Sequence, residues 1–123
     1  MAFINPVTLD VLYKIKLNKK EIEFLKYFLL RMPMYVGKIK KESIIHFLHG
    51  YDCGRHPESN ICKTIALHIE KRYKITQRNL GWPYQIELLK KKRKSTWIKT
   101  FKTIIEEILE ETEPEDREEF KKP

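Results

Sequence analysis

The stretch STWIKTFKTIIEEILEE, residues 95–111, decides the fold class. Its apolar side chains recur at the i, i+3, i+4, i+7 spacing that places residues on one face of a helix. They are Trp97, Ile98, Phe101, Ile104, Ile105, Ile108 and Leu109. Ser95 precedes them, and its hydroxyl could accept a hydrogen bond from a backbone N–H of the first turn. The stretch therefore predicts a long amphipathic helix capped by Ser95.

The stretch NKKEIEFLKYFLL, residues 18–30, predicts another helix. Asn18 can cap it, and Glu21 follows three residues later, as in a capping box. Pro33 is expected to end the helix because a residue that precedes proline is pushed out of the α region.

The segment RMPMYVGKIKKESIIHFLHGY, residues 31–51, predicts a corner followed by a helix. Pro33 and Gly37 are expected to turn the chain, while Met34 and Tyr35 pack into the corner. The helix is expected over about residues 41–53, with one apolar side formed by Ile44, Phe47, Leu48 and Tyr51. We expect Gly50 to allow close approach of a neighbouring helix.

Two further helices complete the pattern. One is expected to be capped by Ser59 or Asn60, and its buried side contains Cys62, Ile65, Ala66, Ile69 and Tyr73. The other begins after Gly81 with Pro83 in its first turn, where the missing N–H of proline costs nothing. No segment pairs into a sheet, and no internal repeat is found.

These patterns predict an all-α fold, a single compact domain of about five helices. The domain is expected to span residues 1–112, and the charged residues 113–123 to form a frayed tail. Within the domain, VTLDVLYKIKL (residues 7–17) fits either a short helix or a strand.

Composition and charge restrict the class of protein. The chain has 123 residues, of which 41% are hydrophobic, and no apolar run long enough to span a membrane. Because the first residues lack the pattern of a signal peptide, we expect a cytoplasmic protein. Two cysteines, Cys53 and Cys62, are too few for a disulfide scaffold and are expected to be reduced thiols.

The net charge of +8 is unevenly distributed along the chain. Residues 1–103 hold 22 Lys/Arg and 8 Asp/Glu, a balance of 22 − 8 = +14. Residues 104–123 hold 3 Lys/Arg and 9 Asp/Glu, a balance of 3 − 9 = −6. A basic body with an acidic end indicates charged partners, either nucleic acid or protein.

The density of histidine and cysteine invites a metal or nucleophile hypothesis. His46, His49 and Cys53 fall on one side of the predicted helix, opposite its apolar side, and are expected to face solvent or a partner. Their spacing matches no zinc pattern, and Cys62 belongs to the next helix. A Cys–His nucleophile would also need an orienting group and an oxyanion site, which nothing in the sequence identifies. We therefore predict no metal, no cofactor and no catalytic site.

Two charged runs are candidate binding surfaces. The basic run KKKRK comprises Lys90, Lys91, Lys92, Arg93 and Lys94. It is the strongest nucleic-acid signal in the chain, although cations also favour the C-terminal end of a helix. The acidic candidates are Glu106, Glu107, Glu110 and Glu111. They form either a solubilising face or a surface that complements a basic protein.

Three short motifs resemble those of a family of small bacterial proteins. The family carries R-P-x-M-Y-x-G, then F-x-x-G-Y, then a late G-W. In this chain the similarity rests on Arg31, Met34, Tyr35, Gly37, Phe47, Leu48, Gly50, Tyr51, Gly81, Trp82 and the closing helix at Trp97–Phe101. It covers roughly residues 24–110. Met32 stands where the family has proline, and Pro33 where it often has glycine. These proteins resemble immunity proteins of polymorphic toxin and contact-dependent growth inhibition systems.

The resemblance implies a function without catalysis. An immunity protein binds its cognate toxin domain, here expected to be a nuclease, and blocks the active site by stoichiometric association. The surface would be either the acidic run or the basic body with His46 and His49. A small basic nucleic-acid-binding or regulatory protein is the alternative that the charge distribution allows.

Overall fold

Six α-helices and no strand make up the regular structure of residues 17–76 and 80–112, which a computed structural model describes. They are α1 (Lys19–Leu30), α2 (Met32–Val36), α3 (Lys41–Gly54), α4 (Ile61–Tyr73), α5 (Trp82–Arg93) and α6 (Trp97–Thr112). The predicted all-α class is confirmed. The predictions for residues 7–16 and for the tail, 113–123, lie outside the described residues.

The first helix starts as its sequence predicts. The backbone N–H of Glu21 donates to Asn18 Oδ1 at 2.8 Å, and the N–H of Asn18 donates to Glu21 Oε1 at 2.9 Å. This reciprocal pair is the expected capping box. One side of α1 then enters the core through Ile22, Leu25 and Phe28.

The corner between α1 and α3 is formed differently from the prediction. Pro33 does follow the end of α1, but it lies in the first turn of α2, and Gly37 has a positive φ of 70°. The residue that enters the core is Met32, whose side chain is 1% exposed, whereas Met34 is 76% exposed. The prediction that Met34 fills the corner is therefore wrong, because the extra helical turn directs it outward. Tyr35 does contact the core, with its ring 5.6 Å from that of Phe28.

The core lies among α4, α5 and α6, which pack against one another. Helix α3 packs on α4, and α1 packs on α6. Aromatic rings join these layers: Phe28 of α1 lies 6.3 Å from Phe101 of α6, which in turn stacks on Trp97 at 5.6 Å. The uninterrupted apolar stripe of α6 thus forms the centre of the domain.

Gly50 does not mark a close helix contact. A Cβ atom added to this residue would meet no heavy atom within 4 Å, so the predicted close approach is wrong. Gly50 is exposed on the outer side of α3, whereas Ile44 and Leu48 are buried.

Two helix caps also differ from the predictions. The backbone N–H of Lys99 donates to Thr96 Oγ1 at 3.1 Å, so Thr96 rather than Ser95 caps α6. The side chain of Asn60 makes no cap hydrogen bond at the start of α4. Instead, carboxylate oxygens of Glu21 and Asp52, which belong to two other helices, accept hydrogen bonds from the backbone N–H groups of Asn60 and Cys62.

No helix within residues 17–76 and 80–112 combines the length and apolar character that a membrane-crossing segment needs.

Candidate functional site

A polar cluster joins the end of α4 to α6 and contains two of the predicted acidic site residues. The carboxylate of Glu107 lies 2.9 Å from His68 Nε2 and accepts a hydrogen bond from the Tyr73 hydroxyl at 2.5 Å. The second ring nitrogen of His68, Nδ1, lies 3.3 Å from Glu111 Oε2. Arg72 closes the cluster, with NH1 donating to Glu111 Oε1 at 3.2 Å.

The pKa of Glu107 follows from the geometry of this cluster. Burial raises the pKa of Glu107, but hydrogen bonds from His68 and Tyr73 outweigh burial and hold the pKa below its ordinary value. Carboxylate oxygens of Glu107 and Glu111 face the two ring nitrogens of His68. The side chain of His68 is only 6% exposed, so the cluster is a largely buried polar contact between helices.

The acidic surface predicted from the sequence is therefore divided in two. Glu106 and Glu110 are exposed on α6 and remain available to a partner. Glu107 and Glu111 are engaged in contacts within the domain, to His68 and Arg72. The helical pattern gave no sign of this, because His68 and Glu107 are 39 positions apart in the sequence.

His46, His49 and Cys53 are exposed on α3, as predicted. His49 nevertheless has a partner in the fold, since its Nε2 accepts a hydrogen bond from the Trp82 indole at 3.1 Å. Within the described part of the chain, no group of three or more His, Cys, Asp or Glu side chains is arranged to hold a metal ion.

Cys62 is the more enclosed of the two free thiols, whereas Cys53 is exposed. Burial, together with the nearby Asp52 carboxylate, raises the pKa of the Cys62 thiol well above its ordinary value. Asp52 also accepts hydrogen bonds from the backbone N–H groups of Ile61 at 3.1 Å and Cys62 at 2.7 Å. These backbone contacts cap α4. Burial and the Asp52 carboxylate keep the Cys62 thiol protonated, and a protonated thiol is a poor nucleophile.

The two most exposed of the large apolar side chains of the described residues lie where α1 meets α2. Leu30 is 72% exposed, Met34 76% and Tyr27 47%. Arg31 is also exposed and stands between them. We call Tyr27, Leu30, Arg31 and Met34 the corner surface.

Backbone hydrogen bonds hold the corner surface on successive turns. The N–H of Arg31 donates to the carbonyl of Tyr27 at 2.8 Å, and the N–H of Met34 donates to the carbonyl of Arg31 at 2.9 Å. Because Met34 was predicted to pack into the corner, the sequence pattern did not indicate this surface. The signal that could have found it is the proline at position 33, which favours a new helical turn rather than an extended loop.

The basic run lies at the end of α5. Lys90, Lys91, Lys92 and Arg93 form its last turn, and Lys94 follows in a left-handed conformation with φ of 52°. Lys90 is partly exposed and the other four are exposed.

Comparisons of this chain with protein-family models, with curated proteins and with solved structures give no match.

Proposed function

We propose that this protein is an immunity protein that neutralises a toxin domain, most simply a nuclease, by stoichiometric binding through the corner surface. The observation that carries the proposal is the exposure of Leu30 and Met34 on adjacent turns, at 72% and 76%. Clustered exposed apolar side chains are typical of protein-binding sites, whereas single ones are common on any surface.

The residue types at the corner surface suit protein recognition. Tyrosine, methionine and arginine are enriched at protein–protein interfaces, and tyrosine and arginine often contribute most of the binding energy. Arg31 has no ion-pair partner among the described residues, so its guanidinium is available for a carboxylate of a partner. A partner with an apolar pocket and an acidic edge would fit the surface.

The corner surface also coincides with the motif that resembles immunity proteins. The contact of Tyr35 with Phe28 explains why the motif has a tyrosine at this position. The positive φ of Gly37 explains why it has a glycine there. Packing does not explain Arg31 and Met34, because both are exposed. A binding role accounts for these two motif residues.

Several buried or half-buried polar side chains of types common in catalytic sites are used within the fold. His68 and Tyr73 both contact Glu107, and Asp52 caps α4. Their engagement in contacts within the domain favours a binding role over a catalytic one for the described part of the chain.

Co-expression with the C-terminal domain of a toxin encoded immediately upstream tests the proposal. We expect a complex of one copy of each protein that survives gel filtration. The double substitution Leu30→Asp with Met34→Glu should weaken toxin binding about 100-fold, because each position should lose roughly 1–2 kcal/mol of binding free energy. Leu80→Asp is the matched control, since Leu80 is also an exposed apolar residue, at 56%, outside the corner surface.

Circular dichroism of each variant shows whether the fold is retained. Equal loss of toxin binding in the control and in the double variant would contradict the assignment of the surface. Failure of the wild-type protein to bind or inhibit the toxin domain would contradict the function itself.

A further inference from the structure

Two lysine-rich segments that are far apart in the sequence meet at one carboxylate. Lys41, the first residue of α3, places its Nζ 3.3 Å from Glu87 Oε1. Lys90 of α5 places its Nζ 2.9 Å from Glu87 Oε2. The start of α3 and the end of α5 are therefore neighbours, although 46 positions separate Lys41 from Glu87.

The segment before α3 is held in place beside this contact. The Ser43 hydroxyl donates to the carbonyl of Lys38 at 2.8 Å and accepts from the backbone N–H of Lys40 at 3.0 Å. Both lysines are exposed. The two segments together form what we call the basic surface: Lys38, Lys40, Lys41, Lys90, Lys91 and Lys94.

The positive charge of the basic surface is only partly neutralised by the fold. Glu42 and Glu87 are the acidic residues of the segments 38–42 and 84–94. The hydrogen bond from Lys90 is the main reason that the pKa of Glu87 is lowered, so this carboxylate is ionised and already shared by two lysines. Lys38, Lys40, Lys91 and Lys94 have no ion-pair partner among the described residues. Crowded cations without counter-charges favour binding of an anion.

An exposed aromatic ring adjoins the basic surface. Tyr84 is 40% exposed, and it precedes Glu87 by three positions and Lys91 by seven. At about 100° per residue, these three residues share the outward side of α5. Lysines beside an exposed aromatic ring are the combination that binds single-stranded nucleic acid, with phosphates on the cations and a base stacked on the ring.

We propose that the basic surface binds single-stranded nucleic acid through its phosphates, with one base stacked on Tyr84. Regular duplex DNA has its bases stacked inside and offers none to Tyr84, so single strands are preferred. The surface does not include the corner surface, and this proposal does not rest on toxin binding.

Fluorescence anisotropy with a labelled 20-nucleotide oligo(dT) tests the proposal. The logarithm of affinity should fall with the logarithm of salt concentration with a slope of about −3 to −4, from roughly −0.7 for each of about five phosphate contacts. The double substitution Lys91→Glu and Lys94→Glu should lower affinity at least tenfold and make the slope shallower by about 1 to 2. Tyr84→Ala should lower affinity roughly tenfold and leave the slope unchanged.

A matched control separates the surface from the net charge. Lys63→Glu with Lys71→Glu changes the charge of the protein by the same amount at two exposed lysines of α4, and it should cost much less affinity. Equal losses in the two double variants would overturn the proposal. So would equally tight binding of a duplex of the same length, or retention by anionic phosphatidylglycerol vesicles with no binding of oligo(dT).

The Leu30→Asp and Met34→Glu variant distinguishes this proposal from the proposed function. It should bind oligo(dT) as the wild-type protein does while losing the toxin domain. If that variant loses oligo(dT) binding while it remains folded, the basic surface is not the site.

Discussion

Glu107 should be a stabilising residue of the domain rather than a contact for a partner. In Glu107→Ala, the Tyr73 hydroxyl and His68 Nε2 both lose the carboxylate that faces them. The side chain of Glu107 is 14% exposed, so water replaces the lost acceptor only in part. We therefore expect a marked fall in the free energy of unfolding.

The size of this fall can be estimated from the contacts. A hydrogen bond to a charged group contributes about 1.5–3 kcal/mol, so two such bonds set an upper range of about 3–6 kcal/mol. Two effects reduce this: Glu111 still faces Nδ1 of His68, and the half-buried Tyr73 can reach water. We expect a loss of about 2–4 kcal/mol, a large part of the stability of a small domain.

Urea unfolding followed by circular dichroism measures this loss. With a slope of about 1.5 kcal/mol per molar urea, the midpoint of Glu107→Ala should fall by roughly 2 M. The neighbouring Glu106→Ala is the control, since Glu106 is exposed, and should change stability by at most about 0.5 kcal/mol. Equal midpoints for the two variants would refute the argument.

The pH dependence of Glu107→Gln provides a second readout. The folded-state pKa of Glu107 lies below the ordinary value of 4.5, so its ionised form stabilises the fold fully above that pH. This contribution is lost as the pH falls through the lower folded-state pKa. The stability difference between wild type and Glu107→Gln should therefore shrink below pH 4.5, and a difference that grows on acidification would contradict the cluster geometry.

Three further results are expected. Iodoacetamide at pH 8 should label Cys53 quickly and Cys62 only on unfolding, because burial raises the pKa of the Cys62 thiol; peptide mass spectrometry that finds equal rates would contradict this. Asp52→Ala should lower the free energy of unfolding by about 1–2 kcal/mol, because the cap of α4 is lost. An unchanged urea midpoint would contradict the capping role of Asp52. Gly37→Ala should lower the free energy of unfolding by about 1 kcal/mol, because the φ of Gly37 is 70°. Gly50→Ala should raise it by up to about 1 kcal/mol, because Gly50 lies within a helix and has free space around it. Calorimetry that gives both changes the same sign would refute this contrast.

Sequence patterns predicted the features of the fold that depend on near neighbours. The capping box of Asn18 and Glu21 spans three positions, and the stripe of α6 repeats over single turns. Pro33 was correctly placed after the end of α1, but the turn that begins there was not predicted. A single helical turn contains too few residues to show a period, so Met34 was assigned to the core.

The contacts that define the candidate sites were beyond prediction because they join distant segments. Helical spacing placed Glu106 and Glu107 together on the polar side of α6, yet only Glu107 faces His68. Likewise, nothing in the sequence indicated that Lys41 and Lys90 would share Glu87. Such pairings depend on how helices are arranged in space, which one sequence without a related structure does not specify.

Glu21 gives the domain an interdependence that its helix boundaries alone would not suggest. One oxygen of its buried carboxylate holds the start of α1 at Asn18, and the other accepts the backbone N–H of Asn60 at 2.6 Å, at the start of α4. The two helix starts therefore share a single carboxyl group, and separation of α1 would leave α4 without part of its cap. A cut between α1 and α3 would thus yield two incomplete fragments rather than a smaller stable domain. In thermodynamic terms, we expect this shared residue to make α1 and α4 unfold as parts of the same cooperative unit.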